Sequence, residues 1–137
     1  MIFVDAGAFL ARFLSRDQHH ALAIRSWEKL ERTRDDCVTS NVVLVGAFTL
    51  LARRAGYSFA AERARRLLAA REMTFLRPEA DDDQAALEWF EKFADQKVGF
   101  ADCISFALMR RHRITRVFTF DAHFQRAGFD VWPANGA

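Results

Sequence analysis

The architecture is indicated most clearly by the stretch of residues 99–133, GFADCISFALMRRHRITRVFTFDAHFQRAGFDVWP. Apolar residues recur at helical spacing in its first part, whereas the later run RVFTF is short and apolar, as buried strands are. The stretch predicts a helix over residues 101–112, a strand over 116–120, a short helix over 122–127 and a last strand over 130–132. A strand, a helix and a second strand in succession are typical of a parallel sheet.

The rest of the chain continues this alternation of strands and helices. The five predicted strands cover residues 2–4, 36–39, 73–76, 116–120 and 130–132. The helices predicted before residue 101 cover residues 8–15, 18–33, 41–54, 58–71 and 79–94. The pattern predicts an α/β fold with a mainly parallel five-stranded central sheet and helices on both of its faces, a three-layer α/β/α sandwich. Because no repeat or linker interrupts the pattern, we expect residues 1–137 to form a single domain.

For two of the helices, the sequence also predicts which side chains are buried and which are exposed. The helix over 41–54 is apolar on almost every side, which predicts that it is buried. On the helix over 79–94, Ala86, Phe90 and Phe93 are expected to face the core. The acidic run at 81–83 is expected to be a solvated helix N-terminus that complements the helix dipole.

Composition narrows the class of protein. Hydrophobic residues make up 51% of the chain, which favours a folded domain over a disordered one. The longest apolar stretch, residues 42–52, is too short to span a membrane, and the N-terminus lacks the basic segment of a signal peptide. Neither of the 2 cysteines belongs to a CxxC pair, which argues against zinc or disulfide scaffolds and fits a reducing cytoplasm. The net charge is only +2, so the many arginines leave nucleic-acid binding and plain solvated helix faces equally open.

Three aspartates lie directly beside apolar segments of the sequence. Asp5 follows the first strand, Asp121 follows the strand at 116–120, and Asp102 opens the helix before that strand. In an open parallel sheet, the functional crevice lies beyond the carboxyl ends of the strands. Burial disfavours the ionised form of such carboxyl groups, but a divalent cation reverses that preference. Mg²⁺ and Mn²⁺ prefer oxygen ligands, so the pattern indicates a metal site that activates water against a phosphate.

The alternative for each aspartate is a plain N-cap of the helix that follows it. A single aspartate favours the cap interpretation, whereas three at matching topological positions favour the metal site. Other candidates are weaker. His123 lies two residues after Asp121 and could approach the site, although a surface role is preferred, and Cys103 is expected to be a small core residue. His19, His20 and His112 are isolated and are expected to be exposed.

Three segments of the sequence resemble those of a known protein family. MIFVDAGAFLA is similar to the opening motif of PIN domains, in which a hydrophobic strand ends at the first metal-binding aspartate, here Asp5. The stretch at 99–133 closely resembles the C-terminal half of VapC-type PIN toxins, with Asp102 at a helix start and Thr119-Phe120-Asp121 after a strand. TSNVVLVGAFTLLARR resembles the family's central helix.

The resemblance implies a PIN-like fold and a Mg²⁺- or Mn²⁺-dependent endoribonuclease, the toxin of a VapBC toxin–antitoxin pair. It implies Asp5, Asp102 and Asp121 as catalytic residues and metal ligands, with Thr119 as a polar neighbour of the site. It further implies an RNA substrate, a cognate VapB-like antitoxin that blocks the acidic groove, a homodimer and a cytoplasmic location.

The chain departs from the family pattern at two positions. Gly46 stands where the family's central helix usually carries a glutamate, and Gly7 stands where many members carry serine or threonine. A glycine inside a helix costs about 1 kcal/mol relative to alanine, so Gly46 is also physically unexpected. Three explanations remain open: close helix packing, a naturally degenerate site, or a substitution selected or engineered because the active toxin harms its host. Each implies weaker metal binding.

Three hypotheses follow from the sequence. The leading one is a metal-dependent endoribonuclease, impaired by Gly46, with arginines among residues 12, 16, 53 and 54 holding the RNA backbone. The rival is a catalytically inactive PIN-like module that binds RNA or an antitoxin partner. The third, a receiver-like phosphotransfer domain using Asp5, lacks the additional acidic pair and the late lysine that such a domain needs.

Overall fold

The computed structural model describes residues 1–134, and its centre is a sheet of five parallel strands. The strands are β1 (Ile2–Val4), β2 (Cys37–Ser40), β3 (Met73–Leu76), β4 (Arg116–Phe118) and β5 (Asp130–Trp132). Their order across the sheet is β3-β2-β1-β4-β5. The chain therefore adds β2 and β3 on one side of β1 and then adds β4 and β5 on the other side. The predicted parallel sheet of an α/β/α sandwich is confirmed.

Helices connect the strands in the predicted order. They are α1 (Ala6–Phe13), α2 (His20–Thr33), α3 (Asn41–Ala55), α4 (Tyr57–Ala69), α5 (Ala80–Lys92), α6 (Phe100–Arg111) and α7 (His123–Arg126). A short 3-10 turn, Ala94–Gln96, was not predicted. None of the helices in residues 1–134 is long and apolar enough to cross a membrane.

The central strand β1 fixes where a site can form. The side chains of Ile2, Phe3 and Val4 are all completely buried, as a strand covered on both faces requires. The strand order reverses between β1 and its neighbour β4, and this reversal opens a crevice beyond their carboxyl ends. The chain that leaves β1 and the chain that leaves β4 therefore meet at one edge of the sheet.

The buried helix is α6 rather than α3. All residues from Cys103 to Met109 of α6 are buried, whereas α3 buries only one face, and Val45 on its outer side is 67% exposed. The prediction that the helix over 41–54 is buried was therefore wrong. An apolar sequence on all sides does not specify which helix the other layers cover, because that depends on the tertiary arrangement. In this fold α3 packs on α1 and α4 and leaves its outer face open.

On α5, the predicted inward side chain Phe90 is 42% exposed and contacts the edge of Phe100, with their ring centroids 5.4 Å apart. Its neighbour Trp89 packs instead against Phe106, at 5.3 Å between centroids. Ala86 and Phe93 are buried as expected. Spacings of three and four residues from Ala86 are both compatible with a helix face, so the apolar pattern did not distinguish Trp89 from Phe90.

The acidic run at 81–83 is not fully solvated, because Asp82 is only 3% exposed. Its carboxylate accepts hydrogen bonds from Nε and Nη2 of Arg111, each at 2.9 Å, and from the backbone N–H of Glu79 at 2.8 Å. Burial acts to raise the pKa of Asp82, but the hydrogen bonds and charge of Arg111 outweigh it, so the pKa lies below its usual value. Asp82 therefore joins α5 to α6, a role the sequence did not indicate.

Candidate metal centre

The three predicted aspartates lie at the carboxyl edge of the central strands. Asp5 follows β1 directly and is 7% exposed, and Asp121 lies in the loop after β4. Asp102 belongs to the first turn of α6. The parallel arrangement thus brings together residues that are far apart along the chain.

Thr119 connects the two strand ends. Its hydroxyl donates a hydrogen bond to Oδ2 of Asp5 at 2.9 Å and accepts one from the backbone N–H of Asp121 at 3.0 Å. Thr119 is itself 1% exposed, so the orientation of the Asp5 carboxylate is fixed from the protein interior. The prediction that Thr119 is a polar neighbour of Asp5 is therefore supported by a direct contact.

Asp102 and Asp121 converge on the imidazole of His123. Nδ1 of His123 lies 3.1 Å from Oδ1 of Asp121 and 3.4 Å from Oδ2 of Asp102. One ligand atom from each of the three residues lies within 4.8 Å of the others. The three side chains are partly exposed, so the cluster opens toward solvent, and the buried Asp5 is not one of the members of this group.

The carboxylates act on one another electrostatically. Burial and the nearby charge of Asp102 raise the pKa of Asp5 to about 7, and Asp121 adds to the effect. Burial and the charge of Asp121 likewise raise the pKa of Asp102. Ionisation of Asp5 and of Asp102 is therefore disfavoured unless positive charge enters the site.

The N-cap interpretation fails for all three aspartates. Asp5 occupies the N-cap position of α1 without a capping hydrogen bond from its side chain, and Asp102 lies inside α6, whose N-cap is Gly99. Asp121 does accept a hydrogen bond from the backbone N–H of His123, at 2.9 Å. This bond closes a turn before α7, whose N-cap is Ala122, so Asp121 does not cap the helix either.

His123 was assigned a surface role from the sequence, and that prediction was wrong. Its side chain is 24% exposed and faces both Asp102 and Asp121. The turn formed when Asp121 accepts the His123 N–H brings the imidazole back over the carboxylate two residues earlier. An aspartate that can form such a turn just after a strand was the one available signal.

Gly46 lies on the second turn of α3, which begins directly after β2 at the same edge of the sheet. A Cβ atom added at Gly46 would meet nothing within 4 Å. The explanation that close helix packing requires a glycine at this position is therefore contradicted. A glutamate fits sterically, and the helix would favour it over glycine.

The arginines expected to hold RNA lie elsewhere. Arg12 stacks over Trp27, with its guanidinium carbon 4.8 Å from the ring centroid, and lines a cavity of about 530 Å³ with Cys37 and Met73. Cys37 and Met73 begin β2 and β3, so this cavity lies at the amino edge of the sheet. Arg53 and Arg54 belong to the last turn of α3, and Arg16 lines a hollow together with Arg54. Their positions do not support a role beside the acidic cluster.

A parallel five-stranded α/β/α sandwich with an acidic cluster at the reversal of strand order defines a PIN-like domain. The sequence matches the family model of the PIN domain over residues 2–130, so the chain belongs to the PIN-domain family. The protein named 23S rRNA-specific endonuclease VapC20, from Mycobacterium tuberculosis, is 36% identical over 132 residues, which cover 94% of this chain and 95% of that protein. The resemblance to VapC-type toxins is thereby confirmed.

Solved structures agree with this placement. The crystal structure of Mycobacterium tuberculosis VapC20, described as a toxin that cleaves the sarcin-ricin loop, superposes with a TM-score of 0.83 at 32% identity. The match covers 94% of this chain and 96% of that chain. FitAcB from Neisseria gonorrhoeae superposes with a TM-score of 0.68 at 17% identity, over 96% of each chain, which shows a shared fold.

Proposed function

We propose that this chain is a Mg²⁺- or Mn²⁺-dependent endoribonuclease and the toxin of a type II toxin–antitoxin pair. The observation that carries the proposal is that Asp102 and Asp121 lie close to the buried Asp5, whose pKa is raised to about 7 by burial first and by the charges of the other two aspartates second. Such a site is electrostatically unfavourable by itself and becomes favourable when a cation binds. The similarity to VapC20, named as an endonuclease specific for 23S rRNA, supports RNA as the substrate.

The side chains of the site fit a divalent metal ion. Asp5, Asp102 and Asp121 are proposed as its ligands and as the catalytic residues, since hard cations prefer carboxylate oxygens. When bound, the ion lowers the pKa of water and neutralises charge on the phosphate under attack. Thr119 holds the Asp5 carboxylate in a fixed orientation. The buried location of Asp5 excludes bulk water from one side of the site.

The biological setting follows from the family. We propose that residues 1–137 act as a single PIN domain and that a VapB-like antitoxin blocks the acidic groove. A homodimer and a cytoplasmic location belong to the same proposal. They rest on the similarity to VapC-type toxins and on the absence of a membrane-spanning helix from residues 1–134.

Gly46 favours a second candidate function. A PIN-like module that binds RNA or its antitoxin without cleaving would tolerate the loss of a carboxylate from α3. The open space around Gly46 means that packing does not require a glycine at this position. It therefore supports the explanation that glycine has replaced a larger residue here. The two candidates differ in one measurable property, which is cleavage once the carboxylate is restored.

The test is Gly46→Glu, with Gly46→Gln and Gly46→Ala as matched controls. All three should stabilise α3, by about 1 kcal/mol or less, because each removes a helix glycine. Only Gly46→Glu adds a carboxylate, so only this variant is expected to raise Mn²⁺-dependent cleavage of 23S rRNA, by roughly tenfold or more if metal affinity limits the rate. Cleavage is measured on purified ribosomes and on naked rRNA by primer extension.

A folded Gly46→Glu variant that binds Mn²⁺ yet cleaves no RNA would contradict the nuclease proposal and favour the binding module. Equal gains in Gly46→Glu and Gly46→Gln would mean that the helix, and not the charge, limits activity.

A further inference from the structure

We propose that Nδ1 of His123 is a ligand of the metal ion, beside Asp102 and Asp121, and that it shifts the selectivity of the site from Mg²⁺ toward transition-metal ions such as Co²⁺ and Mn²⁺. The inference rests on the proposed metal-dependent function and deepens it. It assigns a role in metal binding to a residue that the sequence did not place among the metal ligands.

The distances within the cluster carry the first step. Nδ1 lies 3.1 Å from Oδ1 of Asp121 and 3.4 Å from Oδ2 of Asp102. Adjacent ligand atoms around an octahedral ion, each about 2.1 Å from the metal, stand roughly 3.0 Å apart. Nδ1 therefore already lies at nearly the separation from each oxygen that one shared ion requires, and the ligand atoms of all three residues lie within 4.8 Å of one another.

The position of the imidazole is also fixed before an ion binds. The backbone N–H of His123 donates to Oδ1 of Asp121 at 2.9 Å, which anchors the chain on one side. On the other side, Phe124 is fully buried and meets the face of Phe106, with ring centroids 5.0 Å apart and planes at 88°. A ligand held in this way loses little conformational entropy when the metal binds.

The choice of metal follows from the donor atoms. Carboxylate oxygens suit Mg²⁺, whereas an imidazole nitrogen suits later transition ions, whose affinities rise from Mn²⁺ to Co²⁺. Gly46 removes the acidic side chain that VapC-type toxins usually carry on the central helix, so His123 supplies a larger share of the ligands here. The site should therefore discriminate against Mg²⁺ more strongly than a site made of carboxylates alone.

The competing explanation is that protonated His123 acts only as a counter-charge for the two carboxylates. In that case an incoming cation must displace the imidazolium, and removal of His123 would strengthen metal binding. The two explanations therefore predict opposite changes in affinity when His123 is replaced.

The experiment measures binding of Mg²⁺, Mn²⁺ and Co²⁺ to the full chain by isothermal titration calorimetry, together with the visible absorption spectrum of bound Co²⁺. His123→Ala removes the ligand, and His123→Asn replaces the nitrogen with an amide oxygen of similar reach. Gln125→Ala, an exposed position on the same short helix, is the control. Thermal unfolding in EDTA verifies that each variant is folded.

We expect His123→Ala to lower Co²⁺ affinity by roughly tenfold or more, with a smaller loss for Mg²⁺ and a changed Co²⁺ spectrum. His123→Asn should lose the preference for Co²⁺ while keeping Mg²⁺ binding, and Gln125→Ala should match the parent. Unchanged or increased Co²⁺ affinity in folded His123→Ala would overturn the inference and leave the metal site intact. If neither the parent nor Gly46→Glu binds any of the three ions, both the inference and the proposed function fail.

Discussion

The burial of Asp5 disfavours its ionised carboxylate, which is the form that is proposed to bind the metal ion. Asp5 is 7% exposed, it lies close enough to Asp102 and Asp121 to feel their charge, and its pKa rises to about 7. In the unfolded chain its pKa is near 3.8. The folded state therefore binds the proton more tightly, and the contribution of Asp5 to stability is present below pH 3.8 and is lost as pH rises through about 7.

We accordingly predict that Asp5→Asn stabilises the metal-free protein at neutral pH. The amide stays neutral and can still accept the hydrogen bond from Thr119, which the carboxylate accepts at 2.9 Å. The difference in the free energy of unfolding between variant and parent should grow by up to about 1.4 kcal/mol per pH unit across that interval. Urea unfolding in EDTA at pH 4.5, 6 and 7.5 measures it. Asp130→Asn, at an exposed position, is the control, and a gain independent of pH would contradict the prediction.

The sequence predicted the three aspartates from their positions and left His123 between a surface role and a place near the site. Asp5 and Asp121 could be predicted because parallel strands bring their carboxyl ends to one edge, whatever the packing. His123 lies beyond the strand, at the start of the short helix α7, so the period of neither element relates the direction of its side chain to that of Asp121. Only the turn at Asp121, closed by the His123 N–H at 2.9 Å, brings the imidazole to the carboxylate.

At the scale of elements, the order and type of every predicted strand and helix agreed with the fold, while burial of individual helices did not. The alternation of apolar runs and amphipathic stripes depends on local spacing, which the sequence contains. Whether α3 or α6 is covered depends on how the layers close around them. The strand predicted over 116–120 also ends earlier, at Phe118, because Thr119 turns its hydroxyl toward Asp5 and the loop.

Because α6 is buried and α3 is exposed on one face, substitutions in the two helices are expected to change the free energy of unfolding by different amounts. Leu108→Ala in α6 should lower the free energy of unfolding by about 2–5 kcal/mol, because Leu108 is completely buried and its loss leaves a cavity. Val45→Ala in α3 should change it by less than about 0.5 kcal/mol, since Val45 is 67% exposed. Chemical denaturation of both variants provides the comparison. A large loss from Val45→Ala would mean that α3 is covered in solution, for instance by a second subunit.

At the scale of the whole molecule, one core serves the entire sheet. Buried residues of β1 to β4 and of most helices belong to one large hydrophobic cluster, and the partly buried Val131 and Trp132 of β5 pack against it. A small second cluster around Leu51 and Ala60 joins α3 to α4. Phe13 and Phe48 contact both clusters. A molecule built in this way is expected to unfold in a single cooperative transition. Binding at the acidic edge should then stabilise the whole chain and not only the loops that hold the ion.

We therefore predict that a divalent ion raises the denaturation midpoint without changing the denaturant dependence of the unfolding free energy. An ion present at 100 times its dissociation constant should add about 2.7 kcal/mol, because it binds the folded state alone. The increase should be lost in Asp102→Asn and retained in Asp130→Asn, because only Asp102 belongs to the cluster at the carboxyl edge. Urea titrations with and without Mn²⁺ measure the effect. Equal stabilisation of both variants would place the ion elsewhere on the surface, and the acidic site would then lack the cation that its charge distribution requires.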